Sequence, residues 1–154
     1  MNLNLEIGNL QRGGQLFLNA VRCMAAGDLA KPTVHVSVHR TFCAHQFAEG
    51  LSIIGGTLSA ISACSCRTIV FNDAEASAVL PDETAIVHCL AALQEQPEQC
   101  ACRYVHHLVE EPYLGVVMPF LIGTARVFAT RRLLFAPDPR TTAAADRPAL
   151  YCVH

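Results

Sequence analysis

Between Glu49 and Arg67 the chain runs through GLSIIGGTLSAISACSC, seventeen residues without a charge, and between Glu111 and Arg126 it does so again through YLGVVMPFLIGTA. Uncharged stretches of this length belong in a protein core, in an interface or in a bilayer. A spanning helix needs about 20 predominantly apolar residues. The first run carries two adjacent glycines and four serines, and the second is interrupted by Pro119. Both are expected to serve core or interface, with no membrane partner.

The whole chain repeats this economy of charge. Only 16% of its residues are charged, against about 25% in an average soluble domain, while 52% are hydrophobic and the mean hydropathy is +0.32. Its 154 residues suit a single domain. So little charge covers a monomer poorly, and the expected remedy is a homo-oligomer whose interface buries the surplus. The opening MNLNLEIGNLQR has an acid at Glu6 and no basic segment followed by an apolar one, unlike a secretory signal. A cytoplasmic location is expected, in which the eight cysteines stay reduced. With a formal charge of −2 and no basic cluster beyond Arg131-Arg132, nucleic acid is not an expected partner.

Local patterns suggest alternating strands and helices. Leu3, Leu5 and Ile7 alternate with polar residues, as in a strand with one wet face. Leu16, Phe17, Ala20, Val21 and Met24 have helical spacing within 11–26. In TVHVSVHR, Val34, Val36 and Val38 fall on one face of a strand and His35, Ser37 and His39 on the other. A helix is preferred over much of 42–62, leading into a strand at 66–71. Pro81 and Asp82 open a helix with the stripe Ile86, Cys89, Leu90 and Leu93, closed by Pro97. Residues 100–109 read as a strand, 113–135 as an irregular segment with one or two strands, 137–148 as a linker and 149–154 as a C-terminal strand or tail. The expected fold class is α+β: one domain over 1–136, a mixed or mainly antiparallel sheet and about three helices. A small α/β fold with a parallel core is the alternative. Val34, Val36, Val38, Leu90 and Leu93 are the expected core.

Two Cys-x-Cys pairs, Cys64 with Cys66 and Cys100 with Cys102, raise the question of a four-thiolate zinc site. Zinc draws its sulfurs to about 3.8 Å from one another, whereas alternate residues of a strand stand about 6.6 Å apart. No C-x2-C turn is present to close that gap. Core packing of small apolar thiols is the first reading of these four. A metal site becomes plausible if 66–71 and 100–109 pair side by side.

The histidines offer a different site. His35 and His39 on the face opposite the valines, with Tyr104 and His106 on another strand, are the candidate borders of an apolar ligand pocket or interface. A thiol activated by imidazole is a further option, pairing Cys102 or Cys43 with His106 or His45. His45 and Glu49 stand four apart, the spacing of a surface pair on a helix. Asp82-Glu83 suits a helix start by dipole and capping alone. The chain has no phosphate loop, dinucleotide-binding glycine motif, nucleophile elbow or H-E-x-x-H. The expected function is that of a self-associating binding or accessory protein. A thiolate and histidine metal protein and a small Cys/His enzyme are the alternatives.

Overall fold

Residues 11–26 fold as their spacing predicts. In the computed structural model, which describes residues 5–136, α1 spans Arg12–Ala25 and buries Leu16, Phe17, Leu18, Ala20 and Val21. No side chain caps its N-terminus. The orphan N–H groups of the first turn are met by backbone from the far end of the fold: Gln11 N–H donates to the Ala136 carbonyl (3.2 Å) and Gly14 N–H to that of Leu134 (3.3 Å).

The remaining elements are helical too. α2 covers Pro32–Ala44, α3 Gly50–Ala63, α4 Pro81–Glu95, α5 Glu98–Val105 and α6 Leu114–Thr130, with 3-10 turns at Ile7–Asn9, Asp28–Ala30 and Glu111–Tyr113. Among the described residues there is no strand or sheet, only two isolated antiparallel bridges, Glu6 with Ala78 and Ser65 with Val109. The α+β expectation and its α/β alternative are therefore corrected to an all-helical fold.

The physical reasons differ from element to element. In TVHVSVHR the alternation is real, but Pro32 at the first helical position starts a helix. Val34 and Val38 are half-buried on that helix, while Val36 turns outward at 53% exposure and leaves the expected core. Residues 100–109 hold Ala101, Val105, Leu108 and Val109 buried, a helical stripe that outweighs their β-branched and aromatic content. Segment 66–71 has no regular structure and no partner strand. Its expected pairing with 100–109 contracts to the bridge at Ser65 and to two backbone bonds, Cys66 N–H to Leu108 O (3.0 Å) and Glu110 N–H to Cys64 O (3.2 Å). The N-terminal strand contracts likewise: Val79 N–H donates to Leu5 O and Ile7 N–H to Ser77 O, each at 2.8 Å. Pro119 does not break α6. The carbonyl it deprives of a partner is that of Gly115, which is exposed and so is not buried without a partner. The expected linker at 137–148 and strand or tail at 149–154 lie outside the described residues.

α4 is the central helix, packed along α5 and α6, while α3 joins α6 to α1. One end of the core is aromatic. Phe47 meets Phe128 at 4.8 Å and Phe128 meets Phe135 at 4.9 Å between ring centroids, and Phe17 and Phe42 complete the group. Gln46 adopts a left-handed conformation (φ 54°) that turns Phe47 back toward Phe42. Gly50 is required there, because a Cβ at that position would run into the Phe42 ring. Between α3 and α6, Thr57 and Thr124 share a buried hydroxyl hydrogen bond of 2.6 Å. Gln94 of α4 donates to the carbonyls of Ala125 and Leu133 and accepts from Phe135 N–H.

Candidate functional site

Among the described residues, two places that gather ionisable or ligating side chains stand out, and they differ in kind. The first is buried. Arg22 of α1 and Glu83 of α4 form a two-pronged ion pair (2.7 and 2.9 Å), both side chains fully enclosed. Arg22 also donates to the carbonyls of Asp73, Ala76 and Ala78, and Glu83 accepts from the N–H groups of Asn72 and Leu80. The bond to Leu80 is the returning half of a capping box. Asp82 repeats the device nearer the surface, holding Arg67 through two bonds (2.6 and 2.9 Å) and Val70 N–H through a third. The Arg67 guanidinium on Asp82, with Val70 N–H beside it, holds that carboxyl below its usual range.

Every guanidinium proton of Arg22 and every carboxylate lone pair of Glu83 points at the chain itself, so the clamp works as a fastening for residues 66–80. Sequence reasoning read Asp82-Glu83 as helix-start chemistry alone and gave Arg22 no role. The available signal was an arginine standing among the buried positions Phe17, Leu18, Ala20, Val21 and Cys23, where a charge demands a partner.

The second place is open to solvent. On α2, His35, His39 and Cys43 follow one another at intervals of four and form a ridge. The rings of His35 and His39 are stacked, 6.2 Å between centroids and 9° from parallel. Cys43 Sγ lies 3.5 Å from His39 Nδ1 and 3.9 Å from Nε2. An open, shallow depression lined by Pro32, Thr33, Val36, Ser37 and Arg40 adjoins the ridge.

The expected pocket residues fall on separate helices. Tyr104 and His106 sit on and just after α5, which packs against α4 and α6, whereas α2 rests on α3 and the turn at Asp28–Ala30. Tyr104 lies against His88 (5.7 Å between rings) and under the Arg103 guanidinium (5.0 Å), and His106 Nδ1 donates to the Arg103 carbonyl (3.0 Å). Burial lowers the pKa of His88.

The thiols are dispersed as well. Cys64 ends α3, Cys66 donates to the carbonyls of His107 and Leu108, and Cys102 donates to that of Glu98 from within α5, where Cys100 also lies. Among the described residues, no group of three or more His, Cys, Asp or Glu side chains converges as a metal site. Of the expected Cys/His pairs, His45 accepts instead from Arg12 Nε (3.3 Å) and His106 is committed to Arg103. The thiol–imidazole contact that forms is Cys43 with His39.

Thiol environments divide sharply. Cys89 is buried on α4, and burial pushes its pKa up to about 12; burial raises that of Cys23 too. Cys43 is exposed. Under native conditions near pH 8, iodoacetamide is expected to modify Cys43 at least about tenfold faster than Cys89. Peptide mapping by mass spectrometry reads the difference, and equal rates would contradict the burial described here.

No protein-family model, no curated protein and no solved structure matches this chain.

Proposed function

We propose that the protein is a self-associating helical binding protein whose docking face is the outer stripe of α6, and that it operates in the cytoplasm with its thiols reduced. One observation carries this reading. Of the large hydrophobic side chains exposed among the described residues, Tyr113 at the N-cap of α6 and Val116 and Phe120 on it stand at intervals of three and four, 46 to 52% exposed. Gly123 and half-buried Val127 continue the line, and no charge interrupts it. A continuous apolar stripe of this kind marks an interaction surface.

The occupant is a second copy of the same stripe, and charge complementarity argues for it. The stripe begins at Glu110 and Glu111 and ends at Arg132, and none of the three forms an ion pair within the described residues. Two copies packed antiparallel about Phe120 would bring the acidic end of each helix to the basic end of the other and oppose their dipoles. Gly123, with open space where a Cβ would stand, leaves room for Val116 of the second copy.

The segment Glu111–Thr130 has the length and apolarity of a membrane span, with 33% of its window buried in the fold. Its inner face holds Val117, Leu121, Thr124, Ala125 and Phe128 in the core, which favours a helix shared between two protein surfaces.

Sedimentation equilibrium at micromolar concentration is expected to show a dimer. Phe120→Glu should weaken it at least about 30-fold by burying a charge at the centre of the interface, with the helical circular dichroism retained. Arg132→Glu should weaken it by a smaller factor, and combining it with Glu110→Arg and Glu111→Arg should restore it. A strict monomer overturns the reading. So does binding to phosphatidylcholine vesicles that Phe120→Glu abolishes, because the stripe would then serve lipid.

A further inference from the structure

We infer that the outer flank of α2 is the docking site for a later segment of the same chain, residues 146–153, which lie outside the described residues. This contact is separate from the α6 stripe and does not depend on self-association.

α2 is short of partners. It has 13 residues and fully buries one of them, Phe42. Helices of that length are marginal in water unless tertiary packing holds them. Val38 packs against the core from one side. On the other side Pro32, Thr33, Val36, Ser37 and Arg40 recur at the spacing of a single helix face, with Val36 53% exposed. The hollow along this flank measures about 370 Å³. A helix is a convex cylinder, so a hollow beside it calls for a second wall. Among the described residues no other element lines it.

The position at which the described residues end points to the wall. The Ala136 carbonyl accepts from Gln11 N–H (3.2 Å), and the side chain of the next residue, Arg12, donates to His45 at the C-cap of α2 (3.3 Å). Residues 137–154 therefore set out near the C-terminal end of α2. From Ala44 back to Arg40 is about 6 Å of helix, and the ten residues from Ala136 to Asp146 can span about 33 Å. Length is no obstacle.

The chemistry of the segment matches the flank. Arg40 forms no ion pair among the described residues, and α2 contains no acid to answer it. Of the two acids in 137–154, Asp138 and Asp146, the second stands just ahead of Pro148, Leu150, Tyr151 and Val153. With Asp146 on Arg40, those four side chains fall toward Val36 and Pro32, where apolar area is open to water. Pro148 restrains φ ahead of the docking residues, which lowers the entropy lost on binding. The segment thus acts as a strap that gives α2 the second buried face it lacks.

Photo-cross-linking of the full chain tests the contact, with Ser37 replaced by p-benzoylphenylalanine and the adducts mapped by mass spectrometry. A cross-link within one chain to residues 146–153 is expected, and combining Leu150→Asp with Tyr151→Asp should reduce its yield at least about tenfold. Hydrogen exchange provides the second measurement. The same pair of substitutions, and Val36→Asp separately, should speed exchange of the α2 amides at least about tenfold and leave those of α4 unchanged. Arg40→Glu should have a smaller effect, reversed by Asp146→Arg. A cross-link joining two chains, distinguished by mass on a denaturing gel, overturns the assignment, as does one to residues 1–4 or none at all. So does α2 exchange that is indifferent to Leu150→Asp with Tyr151→Asp.

Discussion

Glu83→Ala is expected to destabilise the protein by about 3–5 kcal/mol, the cost of leaving a buried charge without its partner. The loss reaches beyond Arg22. Three carbonyls of residues 73–78 take their donors from that guanidinium, and two N–H groups, of Asn72 and Leu80, take their acceptor from the missing carboxylate. Removing one side chain therefore strands a fully enclosed cation and takes the acceptor from two partly buried backbone donors. Typical domains are stable by only about 5–15 kcal/mol, so Glu83→Gln provides a second reading if the alanine variant fails to fold. Glutamine keeps an oxygen for Arg22 but offers an amide where a second acceptor is needed, and an intermediate loss is expected. Urea denaturation measures both. The exposed pair Arg131 with Glu49 is the control, where Glu49→Ala should cost far less. A loss for Glu83→Ala no greater than that of the control would refute the account of the clamp.

Gly13→Ala should be the next most damaging change, at about 3 kcal/mol, the upper range for overpacking. A Cβ at position 13 would stand 2.6 Å from the Leu134 carbonyl oxygen and 2.7 Å from the carbonyl carbon and oxygen of Leu133. Backbone, unlike the tip of a side chain, has little freedom to step aside. The segment displaced is the one whose carbonyls satisfy the first turn of α1, and it carries Phe135 into the aromatic cluster. One methyl group thus disturbs a helix start and a core contact together. Gly56→Ala provides the opposite sign: it is helical, nothing lies within 4 Å of its Cβ position, and alanine there should stabilise by about 0.5–1 kcal/mol. Thermal unfolding of the two variants side by side tests the contrast, and shifts in the same direction would count against it.

How far the sequence revealed this fold depended on whether a helix combined apolar residues at helical spacing with start or stop signals. α1 and α4 do, and their limits were legible from spacing, Pro81 and Pro97. α2 buries only Phe42 fully, so its apolar period is faint and the valine alternation dominated the reading. In α5 the helical stripe was present as Ala101 and Val105, but alanine is a weak signal beside tyrosine, valine and histidine in a short run. Absence of strand partners could not be read locally, because pairing is a property of the whole fold. The residues of the α2 ridge were singled out as His35 and His39, on the assumption of a strand. Helical geometry instead gives them Cys43 and separates them from Tyr104 and His106. The Arg22–Glu83 pair joins positions sixty-one residues apart and left no local trace beyond one arginine in an apolar face.

Residues 64–80, the longest stretch between helices among those described, would ordinarily be where a protease finds its first foothold. Here its amides and carbonyls are tied to side chains from α1 and α4, and its start is tied to the backbone after α5. The stretch cannot be peeled away while those helices remain docked. Its opening is coupled to the loss of the core, so a region without regular structure shares the lifetime of the helices that grip it.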